Sequence, residues 1–445
     1  MTSIFTRKTI EEAVEIEKGK EKFERTLGLL SLIFIGVGCI IGAGIFIASG
    51  LAAAIAGPSV IVSFIIGAIL CAFISFCYAE LTSIITVSGG LYTYCQVALG
   101  EVYAYLAGVI HITEYTVVAA VVAIGWSGYF YGLFKSLGII LPSFGLINLP
   151  AVLIILVLAA IVALGSKEST TVNNLIVIVN VAIIIIFGVV GGLFINPANF
   201  VPFAPLGLTG ILTGTVMVFF AFTGFDAVAS AAEEAKNPKR NLPLGIIISL
   251  LFCSVLYILM AVVLTGMVPY TSFAGLDIPI QYALEYVGLN WLMTIVTTGV
   301  LAGLTTTLLV SLFVIPRTMF AMSRDGLLPK SVGKLHKRFK SPFNAVVIVA
   351  IVSMFLAGFS PLASIFDLVN GLTLIIFILV AVCTIRIRQL NPGMKIPFPV
   401  PFYPYVPIAA IIGCALLMTQ LQLISVAIII GLLVISLLAY LKFRK

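Results

Sequence analysis

The chain has 445 residues, of which 61% are hydrophobic and only 9% charged, with a formal net charge of +7. That much apolar surface exceeds what a water-soluble fold hides, which excludes a soluble enzyme or a free binding module. The excess positive charge sits in short segments between apolar runs, as membrane orientation requires, so nucleic acid is not called on as a partner.

Residues 1–26 mix Lys18, Lys20 and Lys22 with Glu15, Glu17, Glu21 and Glu24 and lack the apolar core and cleavage site of a signal peptide, so a cytoplasmic amphipathic tail is expected. Runs of about 20 mostly apolar residues then recur twelve times. Spans 1 to 5 fall at 27–55, 58–85, 101–134, 149–165 and 171–195. Spans 6 to 10 fall at 208–232, 243–267, 289–323, 343–359 and 361–386, and spans 11 and 12 at 403–421 and 422–442. With the N-terminus inside, 23 of the 24 basic residues lie on the inner side and only Lys135 lies outside. The seven cysteines are irregularly spaced in or beside apolar runs and form no CxxC pair. They are expected as buried thiols, with no disulfide, metal or cofactor.

Span 1 contains Gly36-Val-Gly-Cys-Ile-Ile-Gly-Ala-Gly-Ile-Phe46 and span 6 contains Phe219-Phe-Ala-Phe-Thr-Gly-Phe-Asp226, each a glycine-weakened stretch inside a run otherwise long enough to cross a bilayer. Unwound backbone at membrane depth survives only where it lines a cavity or meets a ligand. Each break opens a set of five spans, 27–195 and 208–386. An odd number of spans per set makes the second an inverted copy of the first, with the binding site between the two breaks. The expected fold is an all-α polytopic membrane protein of twelve transmembrane helices, a five-plus-five inverted repeat with helices 1 and 6 broken, and helices 11 and 12 (403–442) appended. The ends of half-helices suit a carboxylate at one break and an ammonium at the other, so an α-amino acid fits between them. Ile41, Gly42, Ala43 and Gly44 keep the first break open to main-chain approach, and Phe220, Ala221, Phe222 and Thr223 supply the second.

Acids inside a membrane are costly, so each asks for a role. Glu114 is the deepest, with His111 one turn earlier on the same face of span 3. Glu114 reads as a proton carrier, as a counter-charge for a basic substrate, or as a hydrogen-bonded helix lock. Asp226 follows the second break and is expected to organise the unwound backbone by accepting its N–H groups, or to face a vestibule. Glu80, Glu101 and Asp367 lie near span ends and read as structural. Glu233 and Glu234 below span 6, with Arg317 and Arg324 at the end of span 8, read either as an intracellular gate or as solvated loops.

Several stretches together resemble the amino acid, polyamine and organocation transporter superfamily, within it the cationic amino acid transporter branch. They are GVGCIIGAGIF, the Glu114-Tyr115 pair with GWSGYF at 125–130, FFAFTGFDAVASAAEEAKNPKRNLPLGI at 219–246, and PRTMFAMSRDGLLPK at 316–330. The resemblance covers the chain from Gly36 onward. It implies substrate held by main chain of helices 1 and 6 and closed over by aromatic side chains, here Phe222 and Phe225. It also implies that Asn180 stands where proton-coupled relatives carry a lysine, with Thr305 and Thr306 facing that cation site. A group that cannot titrate there favours uniport or exchange, with a proton ahead of sodium as any coupling ion. Ser311 and Ala43 are small, as in the cationic branch.

The expected protein is therefore an amino acid transporter of the cell membrane, with both termini cytoplasmic and arginine or lysine favoured as substrate. The alternative is a proton-coupled symporter of small neutral amino acids. The two histidines, with no HExxH and no Gly-x-Ser-x-Gly elbow, argue against an enzyme. A channel is disfavoured because the polar residues gather at the breaks and do not repeat along a pore. Nothing in the sequence names an accessory subunit.

Overall fold

Backbone amides in an apolar medium must pair within their own segment, and helices do so. In the computed structural model, residues 7–15, 25–42, 44–87, 89–139, 147–276, 278–336, 339, 341–359 and 362–443 are described. Among them the chain is helical, with a single isolated bridge between Leu27 and Ala235 and no strand. The helices are α1 (Ile10–Glu15), α2 (Leu29–Ile40), α3 (Ser49–Ala56), α4 (Val60–Ile84), α5 (Leu91–Ala98) and α6 (Glu101–Ser136). Next come α7 (Leu149–Ala163), α8 (Ser166–Gly192), α9 (Gly207–Phe219), α10 (Ala227–Ser230), α11 (Pro238–Met267) and α12 (Pro279–Tyr286). The chain closes with α13 (Asn290–Arg324), α14 (Phe343–Phe359), α15 (Leu362–Leu390), α16 (Tyr405–Met418) and α17 (Leu423–Phe443).

Eight described helices are long and apolar enough to cross a membrane, and α2, α7, α14 and α16 are shorter apolar helices. The chain is thus a multi-pass membrane protein. Besides α1 in the tail, two helices, α5 and α12, lie outside the expected spans. Each has eight residues, too short for an apolar period to emerge from a window. The tail contains a described turn of helix, α1, started by a reciprocal cap in which Thr9 N–H donates to Glu12 (2.8 Å) and Glu12 N–H to Thr9 Oγ1 (3.1 Å). Lys18, Lys20 and Lys22 lie outside the described residues.

The centre is α6 packed on α13. Of their most apolar 18-residue stretches, 78% and 83% are buried within the protein, against 33% for α8 and 22% for α17, which face outward. The strongest packing pairs join α4 to α11 and α6 to α13, followed by α2 to α11 and α8 to α13; α7 also packs on α14 and α3 on α9. The acids at span ends are tied down. Glu80 pairs with Arg388 through Nε (2.7 Å) and Nη2 (2.5 Å) and also accepts Val400 N–H (2.6 Å), holding α4, α15 and the approach to α16 together. Asp367 accepts Gln422 N–H (3.1 Å) just before α17, and Glu101 accepts the Tyr440 hydroxyl (2.8 Å). All seven cysteines are buried free thiols.

Candidate functional site

Glycine lets α2 stop in the middle of its span. Ile41 N–H makes the last α-type bond, to Val37 O (2.9 Å), and the chain resumes as a π-helical turn over Gly44–Ala48 before α3. Ala43 lies outside the described residues. In the second break α9 gives way to a tight turn at Phe220–Phe222. Thr223 donates to Phe220 O from both N–H (3.2 Å) and Oγ1 (2.8 Å). Gly224 follows at φ +116°, a conformation that side chains resist.

The two breaks touch. A Cβ at Gly44 would collide with the Ala221 backbone, one at Gly224 with Cys39, and one at Gly42 with Thr307. Ile41, Phe220, Ala221 and Phe222 are all buried at this junction. The carbonyls at the end of α2 meet side-chain donors from two helices, α11 and α13, because a helix end leaves them without backbone partners. Tyr257 of α11 donates to Ile40 O (2.5 Å); farther back, in the middle of α2, Asn173 of α8 donates to Phe34 O (3.0 Å). Thr307 Oγ1 of α13 lies 3.1–3.2 Å from the carbonyl oxygens of Gly38, Cys39, Ile41 and Gly303. One hydroxyl proton cannot serve four oxygens, so this end of α2 keeps acceptor capacity for a cationic group.

The threonine that reaches the break is Thr307. Thr305 is held by Trp126 Nε1 (3.0 Å), and Thr306 turns its hydroxyl back to Gly303 O (2.8 Å). The signal that would have picked Thr307 is the spacing of Gly303, Thr307 and Ser311, four residues apart on one helical face. Ser311 is buried and donates to Thr307 O (2.8 Å). Asn180 packs near Gly303 and Phe46, and both polar atoms of its amide lack a partner among the described residues. Asn173, two turns earlier, is the α8 residue that hydrogen-bonds to α2, with Val177 packed beside it on Gly38. The two aromatics expected as a gate stand in different settings. Phe222 packs edge-on to Phe64 of α4 and against Tyr257, while Phe225 stacks on Phe377 of α15.

Asp226 does not cap the unwound backbone. Its carboxylate accepts the Tyr115 hydroxyl (2.8 Å) and faces His111 Nε2 at 3.6 Å, while His111 Nδ1 meets Thr318 Oγ1 (3.0 Å). Glu114 accepts Thr373 Oγ1 through Oε1 (2.5 Å), and its Oε2 has no partner among the described residues. Ligand-capable atoms of His111, Glu114 and Asp226 all lie within 4.8 Å of one another, fully buried. Tyr115 and Thr318 lie within stretches already singled out in the sequence, but which partner their hydroxyls and that of Thr373 meet is set only by their neighbours in the fold.

At the end of α13, Arg317 pairs with Glu234 (2.6 Å) and Arg324 with Glu233 (3.0 Å). Asp325 holds Lys8 from before α1 (2.5 Å) and the Tyr92 hydroxyl (2.7 Å). Leu27 bonds in β fashion to Glu234 O (3.0 Å) and Lys236 N–H (2.8 Å). The charges below span 6 and those ending span 8 are therefore joined to each other and to the N-terminal segment.

A profile of the family described as amino acid permease matches residues 27–441. The chain belongs to the amino acid permease family. Its relatives are membrane transporters, not enzymes. The permease is 39% identical over 455 residues to the branched-chain amino acid permease BcaP of Bacillus subtilis (strain 168), covering 100% of this chain and 98% of that one. It is 43% identical over 419 residues to the methylthioribose transporter of the same organism, covering 92% and 90%. It is 37% identical over 409 residues to the vacuolar cationic amino acid transporter 4 of Arabidopsis thaliana, covering 88% and 68%.

Proposed function

We propose that this permease carries α-amino acids across the cell membrane by alternating access, gripping the substrate's carboxylate and ammonium with the backbone of its two breaks. The observation that carries the proposal is the contact of Gly44 with Ala221, which puts both irregular segments at one place beside the carbonyl-rich end of α2. Ile41 to Gly44 and Phe220 to Thr223 form the grip, with Ser311 beneath on α13. The proposed architecture has twelve spans with both termini inside, an inverted repeat of 27–195 and 208–386, and 403–442 appended. Its support is the packing of spans 1, 2, 3 and 4 on their counterparts 6, 7, 8 and 9, as an axis relating the two halves would produce. The ion pairs around Arg317 and Arg324 then form the inner latch.

Neutral aliphatic amino acids are the proposed substrates, in place of the arginine or lysine expected from the sequence. That expectation rested on the likeness of Ser311 and Ala43 to the cationic branch and on Glu114 as a counter-charge, and Glu114 stands in a cluster with His111 and Asp226. Branched-chain permeases are similar to this chain at 39% and 35% identity. The same trio is the proposed proton carrier; sodium, at the carbonyls around Thr307, is the second choice of coupling ion. The cationic reading retains the unpartnered Glu114 Oε2 and the Arabidopsis relative in its favour.

Counterflow in proteoliposomes tests both. Vesicles preloaded with unlabelled leucine are expected to take up labelled leucine saturably without an imposed ion gradient, with arginine a poor competitor. Arginine counterflow that leucine fails to inhibit would replace the neutral assignment, and no counterflow with either would remove the carrier.

A further inference from the structure

A cavity of about 540 Å³ lies between the last turn of α6, α12 and the first turn of α13. That volume falls within the roughly 300–1,000 Å³ of small-molecule pockets. Thr294 on its wall precedes Thr307 by thirteen residues of continuous helix, about 20 Å, so the cavity is separate from the junction of the breaks.

Its chemistry is that of an amino acid clamp. Lys135 contributes an ammonium and Glu285 a carboxylate, and among the described residues neither is ion-paired. Gln281 is in the same lining at 9% exposure, and its Oε1 has no hydrogen-bond partner among the described residues. A side chain on Gly132 would come within 2.8 Å of that oxygen, so the glycine leaves the amide its room. A buried orphan acceptor asks for a donor. The uncapped N-terminus of the 35-residue α13 brings its positive end to the same wall. In the proposed orientation Lys135 is also the only one of the 24 basic residues on the outer side.

We propose that this outer cavity is a second binding site, taking a neutral zwitterionic amino acid with its carboxylate on Lys135 and its ammonium on Glu285 and Gln281. Leu276, Ile278 and Met293 line the remainder and receive an aliphatic side chain. One cation balanced by one anion gives a third charge no partner among the described lining residues, which disfavours arginine here. The site rests on the permease reading and on its orientation, and loads substrate from the outer solution ahead of the breaks.

Equilibrium binding of labelled leucine to the purified full-length protein tests it. Wild type is expected to hold two leucines per chain, and Lys135→Ala with Glu285→Gln one, as does Gly44→Leu through loss of the other site. Lys135→Arg, which keeps the charge, retains two. One leucine per wild-type chain that Gly44→Leu removes would overturn the second site alone. Two leucines per chain in the Lys135→Ala, Glu285→Gln double variant would do the same. No leucine bound in any arm would overturn this site together with the leucine-carrier reading.

Discussion

A methyl group at Gly44 has nowhere to go, because the position it would occupy is already filled by the backbone of Ala221. Leucine there must push the breaks apart, so Gly44→Leu is expected to lose leucine counterflow to background while eluting as a folded monodisperse protein. Normal half-saturation in that variant would place the substrate elsewhere. Glu114 offers a different kind of test. Its surroundings are His111 and Tyr115 on α6, Asp226 before α10, Thr373 on α15, and Tyr78 and Cys39 on α4 and α2. If the trio carries the proton, Glu114→Gln removes a proton site without changing the side chain's shape. Uptake driven by an inward pH gradient is then expected to fall at least about tenfold, equivalent to about 1.4 kcal/mol, and to lose its stimulation by external acid. Unchanged gradient-driven uptake would leave Glu114 as a helix lock through Thr373.

At the scale of elements, the breaks were legible because glycine clusters inside an apolar run have few other uses. The short helices α5 and α12 were not, since eight residues carry too little periodicity. The proposed inner latch joins Lys8 and Leu27, residues 233–236 and the end of α13. Removing one partner of a largely buried pair costs about 3–5 kcal/mol, because the other charge is stranded. Arg324→Ala is therefore expected to favour the inward-open form. In a background with the other six cysteines replaced by serine, Cys39 should be labelled from the inner side by a maleimide at least about tenfold faster. An unchanged rate would make these pairs structural ties only. Lys8→Ala, which frees Asp325 from the N-terminal segment, is expected to act in the same direction and more weakly, its ammonium being the more exposed.

For the whole molecule, orientation is the property most open to a direct check. A cysteine at Lys135 should react with an impermeant reagent only from outside, and one at Lys236 only from inside. Both reacting from one side would break the twelve-span topology, since adding or dropping one span reverses every later loop.

Composition and the recurrence of apolar runs determined on their own that this is a helical multi-pass membrane protein. The paired glycine breaks and the motifs around them determined the superfamily. Those features are local: burial in lipid acts on each run separately, and a break is visible inside its own helix. Only the tertiary structure decided that Thr307 and not its two neighbours meets the end of α2, and that Asp226 turns to Tyr115 and His111. It alone assembled Lys135, Gln281 and Glu285 around one cavity. Each of these meetings joins residues of at least two helices, and which of several equivalent hydroxyls or acids meets a partner depends on helix phase and packing, which neighbouring residues in the chain do not encode.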